Sequence, residues 1–191
     1  MNKTVFLDRD GVVVKDVSLL TKISQINIPD YMPNALAKLK KAGYKLIIVS
    51  NQAVVARGLI SKKDVENINS EIERRIVALG GPAFDGIYFC PHHPNATLPE
   101  YRQECNCRKP RVGMLIQATE EHNIDLSLSF MIGDRITDII AGKNAGCKTV
   151  LLETGMHKAE TIVTVDKIDE KIKPDFKCEN LLTAAEWIIK Q

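Results

Sequence analysis

Two patterns of apolar and polar positions alternate along the chain. Short runs of consecutive apolar residues are typical of buried strands, and longer stretches with apolar residues every three or four positions are typical of amphipathic helices. The predicted strands are residues 4–8, 44–50, 86–90, 129–134 and 148–153. The predicted helices are residues 33–43, 61–80, 112–123, 137–146 and 179–191. Residues 154–178 are charged and weakly periodic, and we expect a loop there with at most one short helix.

Strands that alternate with helices predict an α/β fold, in which a mostly parallel sheet has helices on both faces in three Rossmann-like layers. In such sheets ligands bind beyond the carboxyl ends of the strands. We therefore expect one functional site at that edge of the sheet. No internal repeat or domain boundary is evident, so we expect a single domain over residues 1–191. The polar residues that follow predicted strands are Asp8, Asp10, Ser50, Asn51, Cys90 and Asp134.

The composition argues against several classes of function. The 191 residues are 45% hydrophobic and 26% charged, as in ordinary soluble globular proteins. A formal net charge of +2 gives no reason to expect nucleic acid as a partner. The N-terminal residues lack the pattern of a signal peptide, and no apolar run reaches the roughly 18 residues of a membrane span. We therefore expect a cytoplasmic protein without a membrane partner, and a monomer because no long exposed apolar stripe is evident.

Two aspartates, Asp8 and Asp10, follow the first predicted strand in the sequence FLDRDGVV. Side chains at positions i and i+2 of an extended segment point to the same side, and Gly11 then permits a sharp turn. An isolated pattern of this kind also fits simple turn chemistry. Two close carboxylates repel each other, and Mg²⁺, which prefers carboxylate oxygens, water and substrate phosphate, would relieve the repulsion. A third strand-end carboxylate, Asp134, favours a metal site.

Two further residues are suited to a bound phosphate. Lys109 offers a positive charge and Ser50 offers a hydroxyl donor. Asp138, one turn after Asp134, is suited either to capping the start of its helix or to holding a neighbouring group. The chain has neither the GxxxxGKS/T pattern of a P-loop nor the GxGxxG pattern of a dinucleotide site, which argues against both.

The chain resembles the haloacid dehalogenase superfamily of aspartyl-phosphate phosphatases in four motifs. In chain order these are DxDG, a serine at the end of a strand, a downstream lysine and GDxxxD. The resemblance implies a nucleophile at Asp8 and a general acid/base at Asp10, with Ser50 and Lys109 stabilising the transferring phosphoryl group. It also implies Mg²⁺ held by Asp8, Asp134 and the main-chain carbonyl of Asp10. No insertion is long enough to form a large cap domain, so we expect an open site for a small phosphorylated metabolite.

Three of the five cysteines cluster with histidine in the sequence CPHHPNATLPEYRQECNCRKP. An odd cysteine count and a cytoplasmic location argue against disulfides. Three thiolates and one imidazole suffice for a closed zinc site, but their spacing is tighter than in zinc fingers, and buried reduced cysteines remain the alternative. The stretch resembles the zinc loop of the histidinol-phosphatase and heptose-bisphosphate-phosphatase branch, which implies structural Zn²⁺ in residues 90–107. His93 is a second candidate ligand, and we expect Cys147 and Cys178 to be packing residues. The implied ligands are Cys90, His92, Cys105 and Cys107.

The sequence SNQAVVARG, residues 50–58, resembles the stretch TNQSGxARG of the heptose-bisphosphate phosphatases. The resemblance implies removal of the 7-phosphate of heptose 1,7-bisphosphate. The chain departs from that pattern at Ala53-Val54 and in the apolar sequence VSLLT. Because IGDRITD is closer to the histidinol-phosphate phosphatases, these are the alternative; a non-catalytic phosphate-binding or scaffold module is an alternative of another class. The implied substrate contacts are Asp16, Asn51, Gln52, Arg57, Arg108 and Arg135. Solvated surface positions for Arg57 and Arg135, and a turn for Asp16, are the structural alternatives.

Overall fold

One parallel sheet organises the computed structural model, which describes residues 1–154 and 173–191. Its strands are β1 Thr4–Leu7, β2 Lys45–Asn51, β3 Gly86–Cys90, β4 Phe130–Gly133, β5 Lys148–Leu152 and β6 Phe176–Cys178. The spatial order is β3-β2-β1-β4-β5-β6, and every neighbouring pair is parallel. The strand order therefore reverses between β1 and β4, and a parallel sheet opens a crevice for ligands at such a point.

Helices cover both faces of this sheet. Two of these helices begin directly after a residue whose side chain accepts a hydrogen bond from a free backbone N–H group of the first turn. Before the helix that begins at Lys62, the Ser61 hydroxyl accepts from the Asp64 N–H at 3.1 Å while the Asp64 carboxylate accepts from the Ser61 N–H at 2.8 Å. Before the last helix, Asn180 accepts from the Thr183 N–H at 2.9 Å. The helices are α1 Met32–Lys41, α2 Ala53–Ala56, α3 Lys62–Ala78, α4 Gly113–His122, α5 Ile136–Ala145 and α6 Leu181–Ile188.

The hydrophobic core lies on both sides of the sheet, because successive strand residues point to opposite faces. Val5 and Leu7 of β1 pack in a cluster with apolar residues of α1, α3 and α6. Phe6 packs on the other face with apolar residues of α4 and α5. These side chains are fully buried, and each contributes about 1.5–3 kcal/mol to folding. The predicted three-layer α/β architecture is confirmed.

The sequence pattern locates most element boundaries closely. The five predicted strands agree with the structure to within one residue at each end, and the five predicted helices agree to within three. The prediction of a loop over residues 154–178 is wrong at Phe176–Cys178, which form β6 at the sheet edge. Three residues are too few to show a strand pattern, and β6 exists through its pairing with β5. Residues 155–172 of that predicted loop lie outside the described residues. The short helix α2 was also not predicted.

The last helix is anchored by the chain's only tryptophan. The ring of Trp187 stacks on Phe176 with a centroid separation of 4.8 Å and an interplanar angle of 4°. It also meets Phe130 edge-on at 5.9 Å. Both phenylalanines begin their strands, so this aromatic cluster lies at the amino end of the sheet, opposite the expected site.

No helix within residues 1–154 and 173–191 combines the length and apolar character needed to cross a membrane. The organisation as a single domain over residues 1–191 stays a prediction.

Candidate active site

The chain reverses direction directly after β1, which leaves Asp8 at the carboxyl edge of the sheet. Gly11 in this turn has a φ of 82°, and its N–H donates to the Val14 carbonyl at 2.8 Å. A Cβ atom at position 11 would overlap the Asp134 carboxylate at the end of β4. Glycine is therefore required both by the left-handed backbone and by the close approach of the two strand ends.

Three buried carboxylates meet at this edge. Oxygen atoms of Asp8, Asp134 and Asp138 all lie within 4.8 Å of one another. The three residues are between 1% and 7% exposed, so water screens the mutual repulsion of their carboxylates poorly. Hard oxygen donors in this number are the ligands that Mg²⁺ prefers, and the donor set therefore fits that ion.

The carboxyl groups respond electrostatically to this crowding. Burial raises the pKa of Asp8 to about 6, with the negative charges of Asp138 and Asp10 adding to the effect against the opposing charge of Lys109. Burial, together with the charges of Asp8 and Asp138, raises the pKa of Asp134 to about 9. Because both values exceed the aspartate value of about 4 in an unfolded chain, ionisation costs the metal-free protein stability as pH rises through this range. A cation among the three carboxylates would offset that cost.

Lys109 is the positive counterpart of the carboxylates. Its ammonium group lies 2.7 Å from Asp8 Oδ1 and 2.7 Å from Asp138 Oδ1, and it donates to the Val49 carbonyl at 2.6 Å. Burial acts to lower the pKa of Lys109, but the two carboxylates outweigh it and the pKa is raised. Asn51 holds the backbone of Lys109 through two hydrogen bonds, each of 3.0 Å. The lysine is therefore charged and fixed in place.

Asp138 has both of the roles that the sequence leaves open. One oxygen accepts from the Arg135 N–H at 3.1 Å and so caps the start of α5. The other oxygen forms the ion pair with Lys109. A Cβ on Gly133 would overlap the Asp138 side chain, so the end of β4 must also be glycine for this packing.

The Asp10 carboxylate lies outside the cluster formed by the three buried carboxylates. Its two oxygens accept from Arg9 Nε at 3.1 Å and Arg9 Nη2 at 2.9 Å. Gln52 Nε2 donates both to Asp10 Oδ2 at 2.9 Å and to the Ser50 hydroxyl oxygen. Among the described carboxylates it is thus Asp138, rather than Asp10, whose side chain joins Asp8 and Asp134. Any contribution of Asp10 to a metal site would come from its main-chain carbonyl.

Arg9 and Asn69 are the site residues that sequence reasoning missed. Arg9 is only 1% exposed, and its Nη1 donates to Asn69 Oδ1 of α3 at 3.1 Å. Strand alternation directs Arg9 away from the side shared by Asp8 and Asp10, so the pattern gave no reason to include it. The available signal was a charged residue directly after an apolar strand that buries both faces.

Three arginines from separate segments lie near the mouth of the site. Arg108 Nη1 donates to the His92 carbonyl at 3.0 Å. Burial lowers the pKa of Arg108, and the positive charges of Arg135 and Arg57 lower it further. Arg135 and Asp16, both predicted substrate contacts, approach to 3.7 Å. Arg57 is exposed.

The predicted zinc ligands converge at the end of β3. The sulfur of Cys107 lies 3.1 Å from the sulfurs of both Cys90 and Cys105, and 3.4 Å from His92 Nδ1. These four donor atoms all lie within 4.8 Å of one another. His93 is outside this group, and its Nδ1 accepts from the Asn95 N–H. The donor set, three sulfurs and one imidazole nitrogen, fits a closed tetrahedral Zn²⁺ site.

The thiols are reduced and unequal. None of the five cysteines forms a disulfide. Cys147 and Cys178 are buried packing residues outside the cluster of candidate zinc ligands. Burial and the Cys107 thiol raise the pKa of Cys90. Burial also acts to raise the pKa of Cys105, but hydrogen bonds from Cys107 and Cys90 reverse this and lower it. Ionisation of the cluster therefore favours Cys105 first, and thiolates are the form that binds metal.

Comparison with known proteins decides the family. A model of HAD-hydrolase-like proteins matches residues 106–184. The D-glycero-beta-D-manno-heptose-1,7-bisphosphate 7-phosphatase of Pasteurella multocida is 44% identical over 156 residues, which cover 81% of this chain and 84% of that protein. The D-glycero-D-manno-heptose-1,7-bisphosphate 7-phosphatase of Chlorobaculum tepidum is 35% identical over 193 residues, covering 98% and 94%. The chain belongs to the heptose-bisphosphate phosphatase family.

Solved structures of this phosphatase family have the same fold. The crystal structure of D,D-heptose 1,7-bisphosphate phosphatase from B. bronchiseptica complexed with magnesium and phosphate matches with a TM-score of 0.83 and 29% identity, covering 98% of each chain. The D,D-heptose 1,7-bisphosphate phosphatase from Burkholderia thailandensis matches with a TM-score of 0.69 at 22% identity, covering all of each chain. The superfamily, fold and phosphatase class predicted from the motifs are confirmed.

Proposed function

We propose that this phosphatase hydrolyses its substrate through a covalent acyl phosphate on Asp8, an aspartyl-phosphate intermediate. The observation that carries the proposal is the position of Asp8: its carboxylate contacts the buried Lys109 ammonium at 2.7 Å and lies beside Asp134 and Asp138. A carboxylate can approach an anionic phosphate monoester only where positive charge is already in place. A buried, fixed lysine provides part of that charge without reorganisation during the reaction.

The proposed metal is Mg²⁺, held by Asp8, Asp134 and the main-chain carbonyl of Asp10. When bound, Mg²⁺ would supply the remaining positive charge and neutralise the crowded carboxylates. Lys109 would contact the phosphoryl oxygens and keep Asp8 oriented. The Ser50 hydroxyl accepts a hydrogen bond from Gln52, which leaves its own proton to be donated to a phosphoryl oxygen.

The reaction would proceed in two steps. Asp8 attacks phosphorus, the bond to the sugar oxygen breaks, and Asp10 gives a proton to the departing oxygen. Asp10 then takes a proton from water, which attacks the phosphoryl group, breaks the bond to Asp8 and releases inorganic phosphate. One group acts first as acid and then as base, so no other proton carrier is needed.

We propose heptose 1,7-bisphosphate as the substrate, with the 7-phosphate removed. The names and extent of similarity of the relatives support this, because their alignments span about four fifths of the chain or more. The mouth residues support it as well: Arg57, Arg108 and Arg135 offer positive charge to a substrate that carries a second phosphate. The Asp16 carboxylate, whose side chain is 7% exposed and also accepts from the Ser18 N–H, would serve as an acceptor for sugar hydroxyls.

The substrate proposal is tested by kcat/KM for phosphate release from both anomers of heptose 1,7-bisphosphate, compared with histidinol phosphate. We expect one heptose anomer to exceed histidinol phosphate by at least about 100-fold, or about 2.7 kcal/mol of transition-state binding. Equal or faster turnover of histidinol phosphate would contradict the heptose substrate and would indicate that the apolar segment after Asp16 has changed the specificity.

We also propose that Cys90, His92, Cys105 and Cys107 hold one structural Zn²⁺. Because Arg108 directly follows Cys107 and bonds to the His92 carbonyl, the metal would fix this arginine over the site. Elemental analysis of protein purified without a metal-affinity tag should give about one zinc per chain. The Cys107→Ser variant should lose most of that zinc and show a higher KM.

One of the two buried cysteines outside the cluster, Cys147, provides the matched control for zinc. Cys147→Ser makes the same sulfur-to-oxygen change as Cys107→Ser, but at a position outside the four-residue cluster. This variant should retain about one zinc per chain. A stoichiometry far below one in the unaltered protein, or full zinc retention in Cys107→Ser, would contradict the zinc assignment.

A further inference from the structure

A buried arginine, Arg9, lies between the two strand-end aspartates in the sequence and bonds to the second of them, Asp10. The guanidinium of Arg9 makes four hydrogen bonds to side chains from three segments: two to Asp10, one to Gln52 at 2.8 Å and one to Asn69 at 3.1 Å. Arg9 is 1% exposed, whereas the side chain of its ion-pair partner Asp10 is 27% exposed. The charged anchor is therefore inside the protein, and the group that it holds reaches the open site.

Burying a guanidinium is costly unless its donors are satisfied. Here the planar group matches both Asp10 oxygens in the forked geometry that fixes a carboxylate in one orientation. Asn69 belongs to α3, far from β1 in sequence, and ties the other end of the guanidinium to the helix layer. A short, partly exposed aspartate would otherwise sample several rotamers at the site mouth.

Gln52 extends this contact to the phosphate-binding side of the site. Its side-chain oxygen accepts from Arg9, and its amide donates to both Asp10 and the Ser50 hydroxyl. The orientation of Gln52 is thus set by Arg9, since an amide oxygen must face the guanidinium. The carboxylate of Asp10 and the hydroxyl of Ser50 are held in one hydrogen-bonded unit.

We propose that Arg9 is a positioning residue that aligns the Asp10 carboxylate for proton transfer to the departing sugar oxygen and from the attacking water. This role rests on the proposed two-step function of Asp8 and Asp10. Arg9 itself touches neither substrate nor phosphoryl group; it acts through Asp10 and, by way of Gln52, through Ser50.

The need for Asp10 in the first step depends on the substrate, whereas its need in the second step does not. This difference distinguishes a loss of Asp10 alignment from a general loss of active-site structure. A sugar alkoxide is a poor leaving group and needs a proton, whereas p-nitrophenolate departs from p-nitrophenyl phosphate without one. Hydrolysis of the acyl phosphate on Asp8 needs a base with either substrate. Loss of Asp10 alignment should therefore slow both steps for the sugar but only the second step for the aryl phosphate.

The test is the Arg9→Met variant, which keeps an unbranched apolar stem and removes the forked donors. With heptose 1,7-bisphosphate we expect kcat to fall about 100-fold and KM to change less than about threefold. With p-nitrophenyl phosphate we expect a burst of about one equivalent of p-nitrophenol per chain at nearly the wild-type rate, followed by slow steady-state release. Wild-type kcat on both substrates, or an equal loss of the burst rate and the steady-state rate, would overturn the proposal.

Two further variants keep the test decisive. Asn69→Ala removes one hydrogen-bond partner of Arg9 and leaves Asp10 unchanged. It should give the same burst and slow steady-state release with a smaller fall in kcat. This variant tests the proposal even if Arg9→Met does not fold. Arg75→Gln, on the same helix but bonded to Glu71, should behave as wild type. A wild-type enzyme that turns over p-nitrophenyl phosphate but not heptose 1,7-bisphosphate would contradict the substrate alone, and the burst would still test Arg9.

Discussion

Replacing Asp8 with asparagine should lower kcat by at least about 10⁴-fold for every phosphate ester. The amide has nearly the shape of the carboxylate and can still accept from Lys109, but it is not a nucleophile for phosphorus. Phosphate release and incorporation of phosphate into the acid-quenched protein are the measurements. Residual turnover near the wild-type rate, or covalent phosphate on the variant, would contradict Asp8 as the attacking group.

The stability of Asp8→Asn separates lost chemistry from lost structure. Since the folded-state pKa of Asp8 is about 6, well above its unfolded value, the wild-type protein loses stability as pH rises between about 4 and 6. Asparagine does not titrate, so without metal the variant should have the higher Tm at pH 8, and the difference should shrink at about pH 4.5. The exposed Asp30 provides the control, because Asp30→Asn should leave both kcat and Tm unchanged.

Replacing Lys109 with methionine should damage both activity and folding. The charge that faces the phosphoryl oxygens is removed, and we expect kcat to fall about 10³-fold. The change also leaves Asp8 and Asp138 buried without their shared cation, which should cost about 3–5 kcal/mol of unfolding free energy. Urea unfolding and steady-state kinetics, both in metal-free and Mg²⁺-containing buffer, measure the two effects.

A second substitution distinguishes the two roles of Lys109. In the Lys109→Met background, Asp138→Asn removes one of the stranded charges and should recover part of the lost stability but none of the lost activity. Recovery of activity together with stability would show that Lys109 acts only through folding. Wild-type kcat in Lys109→Met with a change in KM alone would exclude a role in the transition state.

Strand ends were the most predictable feature of this site. Asp8, Ser50 and Asp134 each follow an apolar run, and parallel strands bring such positions to one edge regardless of their distance in sequence. Lys109 was predictable only from its place in the order of the four superfamily motifs. Its position 101 residues after Asp8 says nothing about contact, and the 2.7 Å distance depends on Asn51 holding its backbone.

Other features were not predictable, for physical reasons that differ. Arg9 lies on the opposite side of an extended segment from Asp8, and alternation alone assigns it to the other face of the sheet, which is also covered by helices and where a charge is unexpected. Its partner Asn69 is one polar residue on a largely amphipathic helix, and nothing local distinguishes it from a solvated position. The strand β6 depends on pairing with β5 and not on its own three residues.

Trp187 gives the protein an internal optical reporter. It is the only indole in the chain, and it lies between Phe176 and Phe130 at the amino end of the strands. Asp134 lies four residues after Phe130 along an extended strand, about 13 Å away at 3.3 Å per residue, so ligands at the carboxyl edge do not touch the ring. Emission from selectively excited indole should therefore follow the loss of the sheet and not the occupancy of the site. Unfolding of each variant can be monitored without a label while metal and substrate are present.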